Sequence, residues 1–169
     1  MIQKEYVVQL ARYNAWQNNQ LREVLKEMPF AELTADRGAF FGSMFGTMNH
    51  ILWGDTIWMS RWCSDVDALK VAGPESGRAT PTFGVWDAER FRLDGRIRIW
   101  AETLSNMELC DTVSWYSGAT KQNLTRPLSL CVAHMFNHQT HHRGQISQML
   151  KAMGATPPVS DLVFMPEEI

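Results

Sequence analysis

The chain has 169 residues, of which 45% are hydrophobic and 20% charged, and its formal net charge is −2. This composition is typical of a globular protein and excludes an intrinsically disordered chain. A charge this close to zero gives no electrostatic reason to bind nucleic acid. The length fits one domain, and we therefore predict a single domain over residues 1–169.

Location is indicated by what the sequence does not contain. Its apolar stretches are too short to span a membrane, and its charged N-terminus lacks the apolar block of a signal peptide. The three cysteines, Cys63, Cys110 and Cys131, form no CxxC motif, which favours buried thiols in a reducing compartment. We predict a cytoplasmic protein that binds neither membranes nor nucleic acid.

The first half of the chain predicts two helices and a long connection. Apolar residues spaced three and four apart indicate a helix over residues 3–28, which Pro29 ends. A second helix is expected from Ser43, a good N-cap residue, to about Trp62. Residues 64–86 contain scattered Pro and Gly without periodicity. They predict a long connection, which in a compact domain often has a functional role.

The second half predicts two more helices with a hairpin between them. Asp87 is the expected cap of the third helix, which continues to about Met107. Residues 110–125 contain β-formers around Ser117-Gly118 and predict a small hairpin. The fourth helix is expected to start near Pro127 and to end before Gly154, and the proline-rich tail predicts no regular structure.

Four amphipathic segments with little strand predict an all-α fold, a four-helix bundle with a small hairpin before the last helix. The short link between the first two helices predicts that they are antiparallel neighbours. The long link between helices two and three permits a crossover, which would give an up-down-down-up bundle. A plain up-down-up-down bundle is the competing topology.

Four of the five histidines fall within nine residues of the fourth helix. Because positions four apart differ by only about 40° around a helix, His138 and His142 share one face. His142 lies within the apolar stripe and His138 at its edge, whereas His134 and His141 point progressively away from the core. Two inward imidazoles one turn apart can bind one metal ion, as in HExxH helices.

A third ligand would have to come from another helix, and His50 is the only histidine left. Gly46 and Gly54, one turn before and after it, predict open space around its ring. Three imidazoles without a fourth protein ligand suit a catalytic metal site, and zinc, nickel, iron or copper would accept them. The competing interpretation is that His50 is a hydrogen-bonded core residue.

Three neighbouring residues have less specific interpretations. His141 could orient a ligand or transfer protons, although a solvated surface residue is the simpler interpretation. The same holds for Gln145, which could hydrogen-bond a metal ligand. Cys131 lies on the apolar stripe and is interpreted as a packing residue, since nothing positive is visibly next to it to activate the thiol.

Four segments of the chain resemble the DinB family. The last helix, AHMFNHQTHHRGQISQMLKAMG, is similar to the family's C-terminal helix, and H-x-x-x-H-R-G-Q from His138 to Gln145 is its most specific part. The segment NHILWGDTIWMSRW resembles the second helix, with a D-x-x-W pattern at Asp55 and Trp58. The opening RYNAWQNNQL is similar to the first helix, and the tail PPVSDLVF also fits.

The resemblance implies an up-down-down-up bundle with a divalent metal held by His50, His138 and His142. In related branches the metal serves transfer of a low-molecular-weight thiol, or isomerisation with a thiol cofactor. We therefore expect a metal-dependent transferase or hydrolase acting on a small molecule, with zinc as the metal, or nickel, iron or manganese. His141 is the candidate catalytic proton carrier. A homodimer is also expected.

Two other kinds of protein would fit the same residues. A metal-binding or sensing protein without turnover would have a closed site with a fourth protein ligand. An oligomeric binding protein could retain the histidines, and loss of metal would then leave its affinity unchanged.

Overall fold

The computed structural model describes residues 2–168, in which helices dominate. The helices are α1 (Lys4–Leu25), α2 (Phe30–Thr34), α3 (Met44–Met59), α4 (Phe83–Thr103) and α5 (Leu128–Ala152). Strands β1 (Thr112–Ser117) and β2 (Gln122–Pro127) form an antiparallel hairpin, as predicted, between α4 and α5. Short 3-10 turns cover Gly73–Arg78, Glu108–Cys110 and Leu162–Phe164.

The helix starts show where capping was correctly predicted and where it was not. The Ser43 side chain accepts a hydrogen bond from the Gly46 amide and caps α3, as predicted. The prediction that Asp87 caps the third long helix is wrong, because α4 begins earlier and Thr82 caps it. Asp87 lies inside that helix and pairs instead with Arg22 of α1.

The contacts of α4 define its direction relative to two other long helices. The start of α1 meets the end of α4, where Lys4 Nζ donates to the Glu102 carbonyl, so these two helices are antiparallel. Helices α3 and α4 run parallel. The Met48 carbonyl, early in α3, accepts from the indole of Trp86, early in α4, and the segment just after α3 contacts the last turns of α4.

The last helix completes the topology. Helices α3 and α5 are antiparallel, because His50 contacts His142 whereas Trp58, two turns later in α3, contacts His134, two turns earlier in α5. The bundle is therefore up-down-down-up, the topology that the family resemblance implied.

This topology corrects one expectation. The first two long helices, α1 and α3, are antiparallel but are not packing neighbours, because α1 packs on α4 and α5 while α3 packs on the other side of those helices. The link between them also contains the short helix α2, which packs on α3. With α2 included, the link covers residues 26–43, which is long enough to join a diagonal pair of helices in a small bundle.

The interior contains a polar group that we call the charged layer, which crosses all four long helices. It consists of six buried residues, namely Asn14, Asn18, Asp55, Arg90, Asp94 and Arg143. Arg90 donates to Asp55 at 2.6 Å and to Asp94 at 2.7 Å. Both asparagines also donate to Asp94, and Arg143 donates to Asn14. Each helix is thereby joined to another by buried hydrogen bonds.

The hairpin and the 64–86 connection cover the sides of the bundle. In β1, Val113 is buried and Trp115 half-buried, so their shared face lies against the bundle. The 3-10 turn Gly73–Arg78 of the connection packs on α3. Within residues 2–168, no helix is both long and apolar enough to cross a membrane.

The thiols are less buried than expected. Only Cys131 is buried among the three cysteines, whereas Cys63 is half-buried and Cys110 is exposed. Burial raises the pKa of the Cys131 thiol and outweighs the opposing effect of Arg61 and Arg126. This agrees with the interpretation of Cys131 as a packing residue.

Candidate metal centre

Three histidines from two helices converge at one point between α3 and α5. One nitrogen from each of His50, His138 and His142 lies within 4.8 Å of the other two, and Nε2 of His50 is 2.9 Å from Nε2 of His138. Two imidazole nitrogens on a tetrahedral ion, each about 2.0–2.1 Å from it, would be roughly 3.3 Å apart. The donor set and its spacing therefore suit a divalent metal ion, whose identity the residues leave open.

Helical periodicity places the α5 histidines as predicted. His142 is buried and His138 half-buried, while His134 and His141 are exposed. The two inward rings have centroids 4.5 Å apart, because they are one turn apart on the same face of α5.

Gly54 has a different role from the one predicted. The space beside it is filled by the ring of His138, since a Cβ built on Gly54 would lie 3.0 Å from His138 Cε1. The missing side chain thus lets the α5 histidine reach its partner on α3. Gly46 is likewise closely packed, against the Phe41 carbonyl and Ser43.

Two aromatic rings stack on His50. The centroid of Phe41 lies 3.8 Å from that of the imidazole, and Trp53 lies nearly parallel to it at 5.7 Å. Phe41 also contacts His142 edge-on. The residue after Phe41, Gly42, has φ +74°, a conformation that favours glycine and that lets the loop turn into α3. Neither aromatic residue belongs to a recognisable metal-binding motif, so their contacts with His50 were not predictable from the sequence.

Two side chains orient the imidazoles from outside the cluster. Ser76 Oγ, in the 64–86 connection, forms a 2.9 Å hydrogen bond with His50 Nδ1. Gln145 Oε1 accepts from His142 Nδ1 at 2.8 Å, which places the proton there and leaves Nε2 free to bind a metal. The connection therefore contributes directly to this site. The stretch GPESGR contains no motif from which the contact of Ser76 with His50 could be predicted.

Burial and mutual proximity keep the cluster neutral. Burial lowers the pKa of His50 to about 4, with a contribution from His142. Burial, followed by the neighbouring histidines, lowers the pKa of His138 to about 3. Burial also lowers the pKa of His142, although its bond with Gln145 opposes this. Metal binding requires unprotonated imidazole, so the environment favours the ligand form.

His141 lies beside the cluster rather than in it. Its ring centroid is 4.9 Å from that of His142, and its Nε2 accepts a 3.3 Å hydrogen bond from Gln145 Nε2. The side chain is exposed, so a proton on it can exchange with water. Gln145 thus bridges the predicted proton carrier and one candidate ligand.

An up-down-down-up bundle whose interior brings together three histidines defines a class of helical proteins with a potential divalent-metal site. The model of the DinB family matches residues 1–168, and the chain belongs to the DinB family.

Two individual proteins extend this assignment. The chain is 25% identical over 161 residues to Protein DinB of Bacillus subtilis (strain 168), covering 93% of this chain and 91% of that protein. It also resembles the solved structure of YfiT from Bacillus subtilis, with a TM-score of 0.64 and 17% identity over 90% of this chain and 89% of that one. That protein is described as a probable metal-dependent hydrolase with an unusual four-helix bundle topology. At this identity the likeness shows the fold.

Proposed function

We propose that this protein is a metal-dependent enzyme acting on a small molecule, with His50, His138 and His142 as the metal ligands. The convergence of their three nitrogens within 4.8 Å carries the proposal. The description of YfiT as a probable metal-dependent hydrolase supports it by analogy. Zinc is the expected metal, with nickel, iron or manganese as alternatives.

The reaction class follows from an incomplete set of protein ligands. His50, His138 and His142 would hold a divalent ion without a fourth protein ligand, and the ion would supply Lewis-acid chemistry that lowers the pKa of a water or thiol. This chemistry serves hydrolysis or the transfer of a low-molecular-weight thiol.

The surrounding side chains have supporting roles in this proposal. Ser76 holds the ring of His50 and Gln145 holds that of His142, while the stacked aromatic rings shield His50 from water. His141 is the proposed proton carrier, since it is exposed and linked to His142 through Gln145.

Metal content tests the ligand assignment. Elemental mass spectrometry of tag-free protein should find near-stoichiometric metal in the wild type and almost none in His50→Ala, His138→Ala or His142→Ala. The matched control is His134→Ala, on the same helix but exposed, which should retain the metal. Equal metal loss in His142→Ala and His134→Ala would contradict the assignment.

Turnover is tested separately with the metal-loaded protein. Screening ester and amide hydrolysis together with thiol transfer should reveal an activity that disappears in His138→Ala. His141→Gln should retain the metal and lower the rate by roughly 10²-fold if His141 carries a proton. Bound metal without any turnover would favour a metal-binding or sensing protein instead.

The homodimer is a separate proposal. Large apolar side chains are exposed, among them Phe40, Met107 and Val163. Aromatic residues and methionine are enriched where protein subunits meet. Light scattering at high micromolar concentration should give twice the 19.3 kDa chain mass, and a monomer mass would refute the dimer.

A further inference from the structure

A row of aromatic rings leads away from the histidine cluster. The ring of His134 lies 5.9 Å from that of His138, and Trp58 meets His134 edge-to-face at 5.2 Å. Trp115 of the hairpin follows, 5.3 Å from Trp58. Both indoles are half-buried. The row therefore forms a partly open apolar surface that begins beside the candidate metal centre.

The guanidinium of Arg61 lies against this row. Its central carbon is 4.1 Å from the ring centroid of Trp58 and 4.8 Å from that of Trp115. Contact with two aromatic faces stabilises the cation and holds it in place. The side chain is half-buried, so the two indoles keep part of it out of water.

Arg61 has no anionic partner in the described chain. Among residues 2–168, no carboxylate lies within ion-pair distance of it and no side chain accepts a hydrogen bond from its guanidinium. Arg90, in contrast, has two carboxylates. Arg126 adds a second positive charge to this region, since both Arg61 and Arg126 act on the Cys131 thiol. Burial lowers the pKa of Arg61, yet a guanidinium stays charged at neutral pH.

We propose that Arg61, with Trp58 and Trp115, forms a subsite for a carboxylate group of the substrate. A guanidinium presents paired N–H donors that match a carboxylate, and the indoles would contact the apolar part of the same molecule. The proposal rests on the proposed function in one respect, namely that the reacting end of the substrate lies at His138. It implies that the substrate is an elongated, partly apolar molecule with an anionic end.

Two thiols that differ in one carboxylate test the subsite in the metal-loaded protein. The probes are 4-(mercaptomethyl)benzoate and benzyl mercaptan, and their dissociation constants are measured by calorimetry. The wild type should bind the carboxylate probe roughly tenfold more tightly, because only that probe can form charge-assisted hydrogen bonds with the guanidinium. Arg61→Gln should bind both probes alike. Arg61→Lys keeps the charge without the paired donors and should retain part of the preference.

The control is Arg92→Gln, which removes an exposed arginine that pairs with Glu89 on α4. This variant should keep the tenfold preference. Equal affinity of the wild type for the two thiols would overturn the proposal, as would an unchanged preference in Arg61→Gln. In the latter case the arginine only packs on the indoles.

A second measurement needs no metal, so that failure of the subsite can be told from failure of the proposed function. The probe is 4-methylbenzoate, added to metal-free protein and followed by the indole N–H resonances, which Trp58→Phe and Trp115→Phe assign. Both resonances should shift in the wild type but not in Arg61→Gln. If the protein binds no metal, these shifts alone decide, and their absence in the wild type overturns the subsite.

Discussion

The interior of the bundle contains two neighbouring polar groups. One consists of charged side chains that pair with each other, and the other consists of neutral imidazoles. The charged layer and the histidine cluster (His50, His138 and His142) use consecutive residues of the sequence. Arg143 directly follows His142, and Asp55 directly follows Gly54, which packs on His138. In the layer, two carboxylates face two guanidinium groups, and Arg90 is paired with both acids. Its formal charges cancel within the protein.

The histidine cluster lacks such compensation. Three imidazoles direct nitrogens at one another, and among residues 2–168 no carboxylate bonds to any of them. Burial lowers the pKa values of His50 and His138, so protonation of these rings within the fold costs free energy. The charges of the first group are balanced within the fold, whereas the second brings together neutral imidazole nitrogens that suit a divalent cation.

Removing the central cation of the charged layer should have the largest effect on stability. Arg90→Met leaves Asp55 and Asp94 buried without their partner, and we expect a loss of about 3–5 kcal/mol in the free energy of unfolding. Urea denaturation measures it. Arg92→Met, which breaks an exposed pair on the same helix, should cost less than about 1 kcal/mol. Similar losses in the two variants would mean that the layer contributes little.

A change at the boundary between the two groups should affect only metal binding. In Gly54→Ala the new Cβ would displace the ring of His138, so we expect metal affinity to fall on the order of a hundredfold while the bundle stays folded. Competition with a chelator measures it. In the control, Gly144→Ala, the Cβ on α5 meets no atom within 4 Å, and the affinity should not change. A Gly54→Ala variant with normal affinity would refute the close approach of the ring.

The sequence predicted the positions of residues in regular helices better than those of residues in irregular segments. Helical periodicity separated His142 from His134 correctly, because a residue's face follows from its position in a regular helix. Ser76 and Phe41 were not predictable, since they reach His50 through irregular segments whose paths have no period. The charged layer was missed as well, because only the packing of four helices reveals which of the many polar residues meet.

Loss of the orienting hydrogen bonds should have a smaller effect on the same site. Ser76→Ala and Gln145→Ala each free one ring while keeping all three candidate ligands, and we expect metal affinity to fall about tenfold in each. The same chelator competition applies, with circular dichroism to show that the fold is retained. Thr103→Ala removes an exposed hydroxyl that bonds only within α4, and this control should bind metal normally. Wild-type affinity in both test variants would mean that packing alone orients the rings.

The smallest effect concerns the metal-free protein and acid. His50 and His138 have folded-state pKa values of about 4 and about 3, below the unfolded value of about 6.5, so the unfolded chain binds more protons between these limits. The free energy of unfolding should therefore fall as the pH drops from about 6.5 toward 4. Allowing for partial exposure, we expect about 1 kcal/mol from the pair. Urea denaturation at several pH values measures it.

The double variant His50→Gln/His138→Gln separates this contribution from all other titrating groups. Glutamine does not titrate, so the part of the slope that the two histidines cause should disappear, whereas His134→Gln at the exposed surface should change it less. An unchanged slope in the double variant would show that the two rings are protonated as easily in the fold as in the unfolded chain. The histidine cluster would then not differ from the charge-balanced layer in the way proposed, because it could accept protons in place of a metal ion.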